Sequence, residues 1–124
     1  MSDLAQVTVN DEDDLRVVAI SGEIDASNVE EVRVETLREM PNTALGLILD
    51  LRRLGYIDSA GVAFVFEVAD RLARRGQQLA LVVPPTAVIR RALEVTGVDE
   101  LAPIVPTLEA ARSRVLPSND ERSA

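Results

Sequence analysis

Along the chain, apolar positions fall into short β-branched runs separated by longer stretches in which apolar residues recur at helical spacing. Val7 and Val9 alternate with polar neighbours, the acidic run Asp11-Glu12-Asp13-Asp14 interrupts, and Leu15 to Ile20 resumes, predicting two strands joined by a charged turn. The small and polar residues Ser21 to Asn28 read as a connection into a helix, with Asp25, Ser27 or Asn28 as its cap. Val29, Val32, Leu37 and Met40 then mark the inner face of a first helix, which Pro41 stops.

Leu45 to Leu49, closed by Asp50, suits a strand buried on both faces, and a strand-like run ending at Tyr56-Ile57 leads into a second helix that starts at Asp58 or Ser59. Its apolar stripe is Val62, Val65, Phe66, Ala69, Leu72 and Ala73, with Gly76 as C-terminal stop. Leu79 to Val83 is a further buried strand. Pro84-Pro85-Thr86 opens a third helix with Val88, Ile89, Ala92 and Leu93 on its apolar face and Gly97 at its end. Ile104-Val105 forms a last short strand, and Pro106-Thr107 opens a terminal helix to about Val115. This alternation predicts an α/β domain, a mixed sheet of four to five strands with about four helices packed on it and a hairpin at one end. Residues 1–116 are expected to form that single domain, and the polar residues 117–124 a disordered tail.

Composition narrows the chemistry. The 124 residues include no Cys and no His, and all thirteen basic residues are Arg, so thiol nucleophiles, imidazole ligands, Ser-His-Asp triads and lysine Schiff bases are excluded. Carboxylates, hydroxyls, Arg and backbone amides remain. A formal charge of −8 disfavours nucleic acid and anionic membranes and favours basic protein partners, although it also serves solubility. The chain has neither a membrane-length apolar run nor a signal-like start, and is expected in the cytoplasm. No cofactor or metal is implied: the acidic run at residues 11–14 lacks the spacing of a cation loop and reads as solvated.

The candidate site is the stretch YIDSAGVAF, Tyr56 to Phe64. A serine at a helix start lies beside unpaired backbone amides that carry about half a positive charge, so a phosphate on Ser59 would be tolerated there. Ala60 and Gly61 place little around the hydroxyl, and Gly61 costs up to ~1 kcal/mol against alanine in a helix with no need for it visible in the sequence. Asp58 and Ser59 are equally good N-caps, and a plain cap is the competing explanation.

The segment LILDLRRLGYIDSAGVAFVFEVADRLARRGQQLALVVPPTAVIRRALEVTGVDEL resembles the STAS domain of bacterial anti-sigma factor antagonists, and ISGEIDASN resembles the segment before that family's first helix. The likeness extends over Leu15 to Val115 and is most specific at Asp58-Ser59-Ala60-Gly61, backed by Val95-Thr96-Gly97-Val98. It implies a non-enzymatic partner-switching protein of transcriptional stress control. The unphosphorylated antagonist binds an anti-sigma factor, often itself a serine kinase, and frees a sigma factor; phosphorylation switches it off and a phosphatase reverses this. By position, Ser59 is the implied phosphoacceptor, and Asp25, Asp58, Ser59, Ala60 and Gly61 the partner surface. Ala60 stands where many members carry a second serine. The resemblance equally admits a STAS scaffold or transporter-associated subunit without the switch. A distinct enzymatic reading gathers Asp25, Asp50 and Asp58 around a divalent ion, or makes Asp50 a phosphoacceptor, but lacks the lysine and paired acidic residues such a site wants.

Overall fold

The computed structural model describes residues 4–12 and 14–116. Strands β1 (Ala5–Glu12) and β2 (Leu15–Ile24) form the expected antiparallel hairpin, in register from Ala5 opposite Gly22 to Glu12 opposite Leu15. The acidic run is thus only partly a turn, since Asp11 and Glu12 extend β1. Helix α1 (Val29–Leu37), β3 (Gly46–Asp50), β4 (Leu54–Ile57), α2 (Ser59–Arg74), β5 (Gln78–Val82), α3 (Val88–Glu94), β6 (Ile104–Val105) and α4 (Leu108–Val115) follow.

The sheet runs β1-β2-β3-β5-β6, parallel from β2 onward, while β4 pairs in parallel with the far end of β2. Six strands therefore stand where four to five were expected. The run ending at Tyr56-Ile57 is the strand β4, whose four residues extend the sheet beside a ten-residue β2 that β3 covers only to Ala19. Ser21 to Glu23, read in the sequence as a connection, belong to that strand.

Period-two alternation divides the core. Val18, Ile20, Leu47, Leu49, Leu79 and Leu81 pack with Val32, Phe64, Val65, Val68, Leu72, Ile89 and Leu93 from α1, α2 and α3. Their strand neighbours Leu15, Val17, Ile48, Ala80 and Val82 meet Ala111 and Val115 of α4 on the opposite face. β3 is buried throughout, as its apolar run predicts.

Three helix details differ from the pattern. α1 ends at Leu37, short of Met40, because the buried guanidinium of Arg16 gathers the carbonyls of Thr36, Arg38 and Glu39 at its end. The inner face of α2 includes Phe64 and Val68, while Ala73 is exposed. α3 starts at Val88, past the proline pair, and Val88 is 86% exposed, so only Ile89, Leu93 and in part Ala92 face inward. The expected tail, 117–124, lies outside the described residues.

Candidate functional site at the start of α2

The carboxyl ends of β2 and β4 lie side by side, with Ile24 paired to Ile57, so the two connections that leave them are neighbours. One carries Asp25 and the other carries Ser59. Asp58 is the N-cap of α2, and its Oδ1 accepts from the Gly61 amide at 3.0 Å. Its Oδ2 accepts from the Ala26 amide of the other connection at 3.2 Å, while its own amide donates to the Ile24 carbonyl. One carboxylate therefore ties the two connections together.

The second connection is ordered from within. Asp25 Oδ1 accepts from the Ser27 amide at 2.9 Å and the Ser27 hydroxyl at 2.5 Å, and these hydrogen bonds, the hydroxyl's foremost, hold its carboxyl below the usual carboxylate range. Asn28, buried, accepts from the Asp25 amide and donates to the Glu23 carbonyl. It is the residue preceding α1, but its side chain braces the loop and does not cap the helix.

Ser59 is exposed, its hydroxyl has no hydrogen-bond partner among the described residues, and Ala60 beside it is half-buried. Because Asp58 occupies the cap, the sequence alternatives of Asp58 or Ser59 resolve to Asp58, and the Ser59 hydroxyl has no structural duty. The Ser59 and Ala60 amides also find no acceptor among the described residues and remain open at the positive end of a sixteen-residue helix.

Gly61 corrects the sequence reading. It is buried, and a Cβ there would lie 2.5 Å from Ile57 Cγ1 and 3.1 Å from Ile24 Cγ2. The glycine is required for α2 to pack down on the ends of β2 and β4, which is a packing reason independent of access by a partner. Only tertiary contact shows it.

Asp50 stands apart from this cluster. Burial alone would raise its pKa, but Arg52, donating to both carboxylate oxygens at 2.8 Å with side-chain nitrogens, outweighs that and lowers it. Among the described residues no group of three or more acidic side chains is placed to hold a metal ion, so Asp25, Asp50 and Asp58 are not brought together.

A mixed sheet with α1, α2 and α3 on one face, α4 on the other, and a capped serine turn at the carboxyl ends of parallel strands defines the class: the chain belongs to the STAS domain family, whose model matches residues 6–111. Among its relatives, BtrV of Bordetella bronchiseptica, named for an anti-sigma factor antagonist role, is 27% identical over 86% of this chain and 90% of its own. The crystal structure of an anti-sigma factor antagonist from Mycobacterium paratuberculosis superposes with a TM-score of 0.79 at 26% identity, covering 90% of this chain and 93% of that one. The same fold, at 22% identity, is seen in Bacillus SpoIIAA in its unphosphorylated form (TM-score 0.69, covering 89% and 96%) and its phosphorylated form (0.67, covering 90% and 100%).

Proposed function

We propose that this protein is an anti-sigma factor antagonist that binds a kinase-type anti-sigma factor in the cytoplasm through the surface of Asp25, Asp58, Ser59 and Ala60, with Gly61 beneath it. Phosphorylation of Ser59 by that kinase switches binding off, and a phosphatase restores it. The observation that carries the reading is the division of labour at the turn: Asp58 takes the cap, and Ser59 is left exposed and unpartnered at its edge. The names of the relatives supply the class of partner. SpoIIAA, which shares the fold, occurs in a phosphorylated form, and this supports the reading.

The electrostatics suit a switch that leaves the fold intact. A phosphate on Ser59 sits at the favourable end of α2 and finds two open amides, so the helix is not strained. At the surface it adds nearly two negative charges beside Asp58 and close to the Asp25 connection, on a chain already at −8. A repulsion and desolvation cost of ~3 kcal/mol at an interface is a loss of about a hundredfold in affinity.

The test uses wild type, Ser59→Ala and Ser59→Asp as baits in native lysate, with captured proteins identified by mass spectrometry. Capture of a kinase-type anti-sigma factor by the first two and not by the third supports the switch. Identical partners on all three would overturn it and favour a constitutive STAS scaffold.

A further inference from the structure

On the face of the sheet that carries α4, the helix covers the first half of β2 and leaves the second half open. Leu15 and Val17 are buried there, whereas Ala19 and Ser21, next on the same face, line a cavity of about 370 Å³. Gln6 and Thr8 of β1 lie opposite Ser21 and Ala19, and Asp50 pairs with Ala19 from the other side. The small side chain of Ala19 makes the floor, and the segment after β3 brings Arg52 and Arg53 to the rim.

The polar groups in this cavity are unequal in their commitments. Asp50 is buried, and both its oxygens are taken by Arg52, through Nε, Nη2 and the backbone amide. That pair is neutral, and it fixes the Arg52 guanidinium with Nη1 unspent. Arg53 has no ion pair or side-chain hydrogen bond among the described residues, although its carbonyl is fixed by the Gly22 amide at 3.1 Å. The side chains of Gln6, Thr8 and Ser21 are likewise unpartnered there. The cavity thus carries a net positive charge, since Arg52 and Arg53 both feel the single Asp50 carboxylate, together with two hydroxyls and an amide.

We infer that this cavity binds a small oxyanion, carboxylate or phosphate, carried on a hydroxylated body, with Arg53 and the free edge of Arg52 on the anion and Gln6, Thr8 and Ser21 on the body. A guanidinium held by a buried carboxylate is preorganised for an oxyanion, since its orientation costs nothing further on binding. The volume admits a small molecule. Because the whole chain is acidic, long-range attraction is absent, and recognition must come from these short contacts, which makes binding depend on Arg53 itself.

The experiment follows backbone amide shifts of the full chain by NMR at constant ionic strength, balanced with sodium chloride, titrating citrate and glucose 6-phosphate separately up to about 50 mM, a range that reveals Kd values of ~10 mM and tighter. Saturable shifts at Gln6, Ser21 and Arg53 with at least one probe are expected, the probe that binds distinguishing carboxylate from phosphate. Arg53→Gln, whose backbone role is untouched, weakens that binding about tenfold, while the exposed control Arg74→Gln leaves it unchanged. Absence of saturation with both probes, or equal weakening by Arg53→Gln and Arg74→Gln, overturns the inference. The outcome is independent of Ser59, since the lining contains neither Ser59 nor its neighbours.

Discussion

Arg16 is the least expected stabilising residue in this fold, and its removal is a demanding test of the structure. Its side chain is only 3% exposed, yet it carries a full charge between β2 and the end of α1. Nε and Nη2 grip the Asp11 carboxylate at 2.7 and 3.1 Å, Nη1 donates to the carbonyls of Thr36 and Arg38 at 3.0 and 2.7 Å, and Nη2 also donates to Glu39 at 3.3 Å. A helix ends with unpaired carbonyls and a partial negative charge, so one guanidinium satisfies acceptors that would otherwise be stranded. It also fixes Glu39, a non-glycine residue at φ +50.

Arg16→Met keeps much of the volume and deletes all five donations. Leaving the buried Thr36 carbonyl without a donor and losing the charge-assisted contacts to the part-buried carbonyls of Arg38 and Glu39 costs ~3–5 kcal/mol, of which Asp11 supplies little because its carboxylate is 47% exposed. At about 4 °C per kcal/mol for a domain of this size, the thermal midpoint drops by about 12–20 °C in differential scanning calorimetry. Asp11→Asn, which leaves the carbonyl contacts in place, should lose less than about 1 kcal/mol. An Arg16→Met midpoint within about 4 °C of wild type, or equal losses in the two variants, would refute the argument that the carbonyls dominate.

Other substitutions test the remaining geometry. Gly61→Ala gains up to ~1 kcal/mol of helix propensity but overpacks Ile57 and Ile24 at a cost of ~1–3 kcal/mol, so urea unfolding should show net destabilisation that shrinks in an Ile57→Ala background. Gly97→Ala, at φ +80 in open space, costs only backbone strain of ~1–2 kcal/mol; Gly22→Ala, at φ +93 with its Cβ 2.0 Å from the Leu4 carbonyl oxygen, costs more and speeds hydrogen exchange across Ala5–Glu12. Asp11 and Asp50 have carboxyl pKa values lowered from 3.8, by hydrogen bonds from Arg16 and, against burial, from Arg52. The unfolded chain then binds more protons in acid, so their stabilisation is present above about pH 4 and lost as pH falls below it; Asp50→Asn should flatten the midpoint-against-pH curve in that range and leave its neutral limb unaltered in slope.

Local pattern carried most of the secondary structure. The start of α2, its glycine stop at Gly76 and the Thr107 cap of α4 rest on contacts within a few residues, the hairpin joins neighbouring strands, and β3 and β5, though paired with distant strands, announce themselves by unbroken apolar runs. What pattern missed depends on distant partners. α1 stops early because of a side chain twenty positions upstream, β2 continues through Ser21 to Glu23 where a connection was expected because β4 pairs with its far end, and Val88 satisfies helical spacing while facing solvent. At the candidate site, Asp58 and Ser59 were legible as a strand-to-helix turn, but the Asp58 bridge to Ala26 spans 32 positions and has no local signature.

That bridge changes how the site must be probed. Asp58 caps α2 and ties down the Asp25 connection, Asp25 orders its own loop through Ser27, and Gly61 lets α2 seat on Ile57. Substituting any of the three disturbs the shape of the surface even if none of them touches a partner, so lost binding in such variants does not identify a contact. Ser59 and Ala60 are different: they use neither side chain to hold the turn, so a change there alters the surface and little else. A loss of binding at Ser59→Asp with an unchanged melting temperature is therefore attributable to charge at the interface, whereas Asp58→Asn, which can keep the oxygen facing Gly61 but loses both the bridge to Ala26 and a negative charge, changes loop order and charge together.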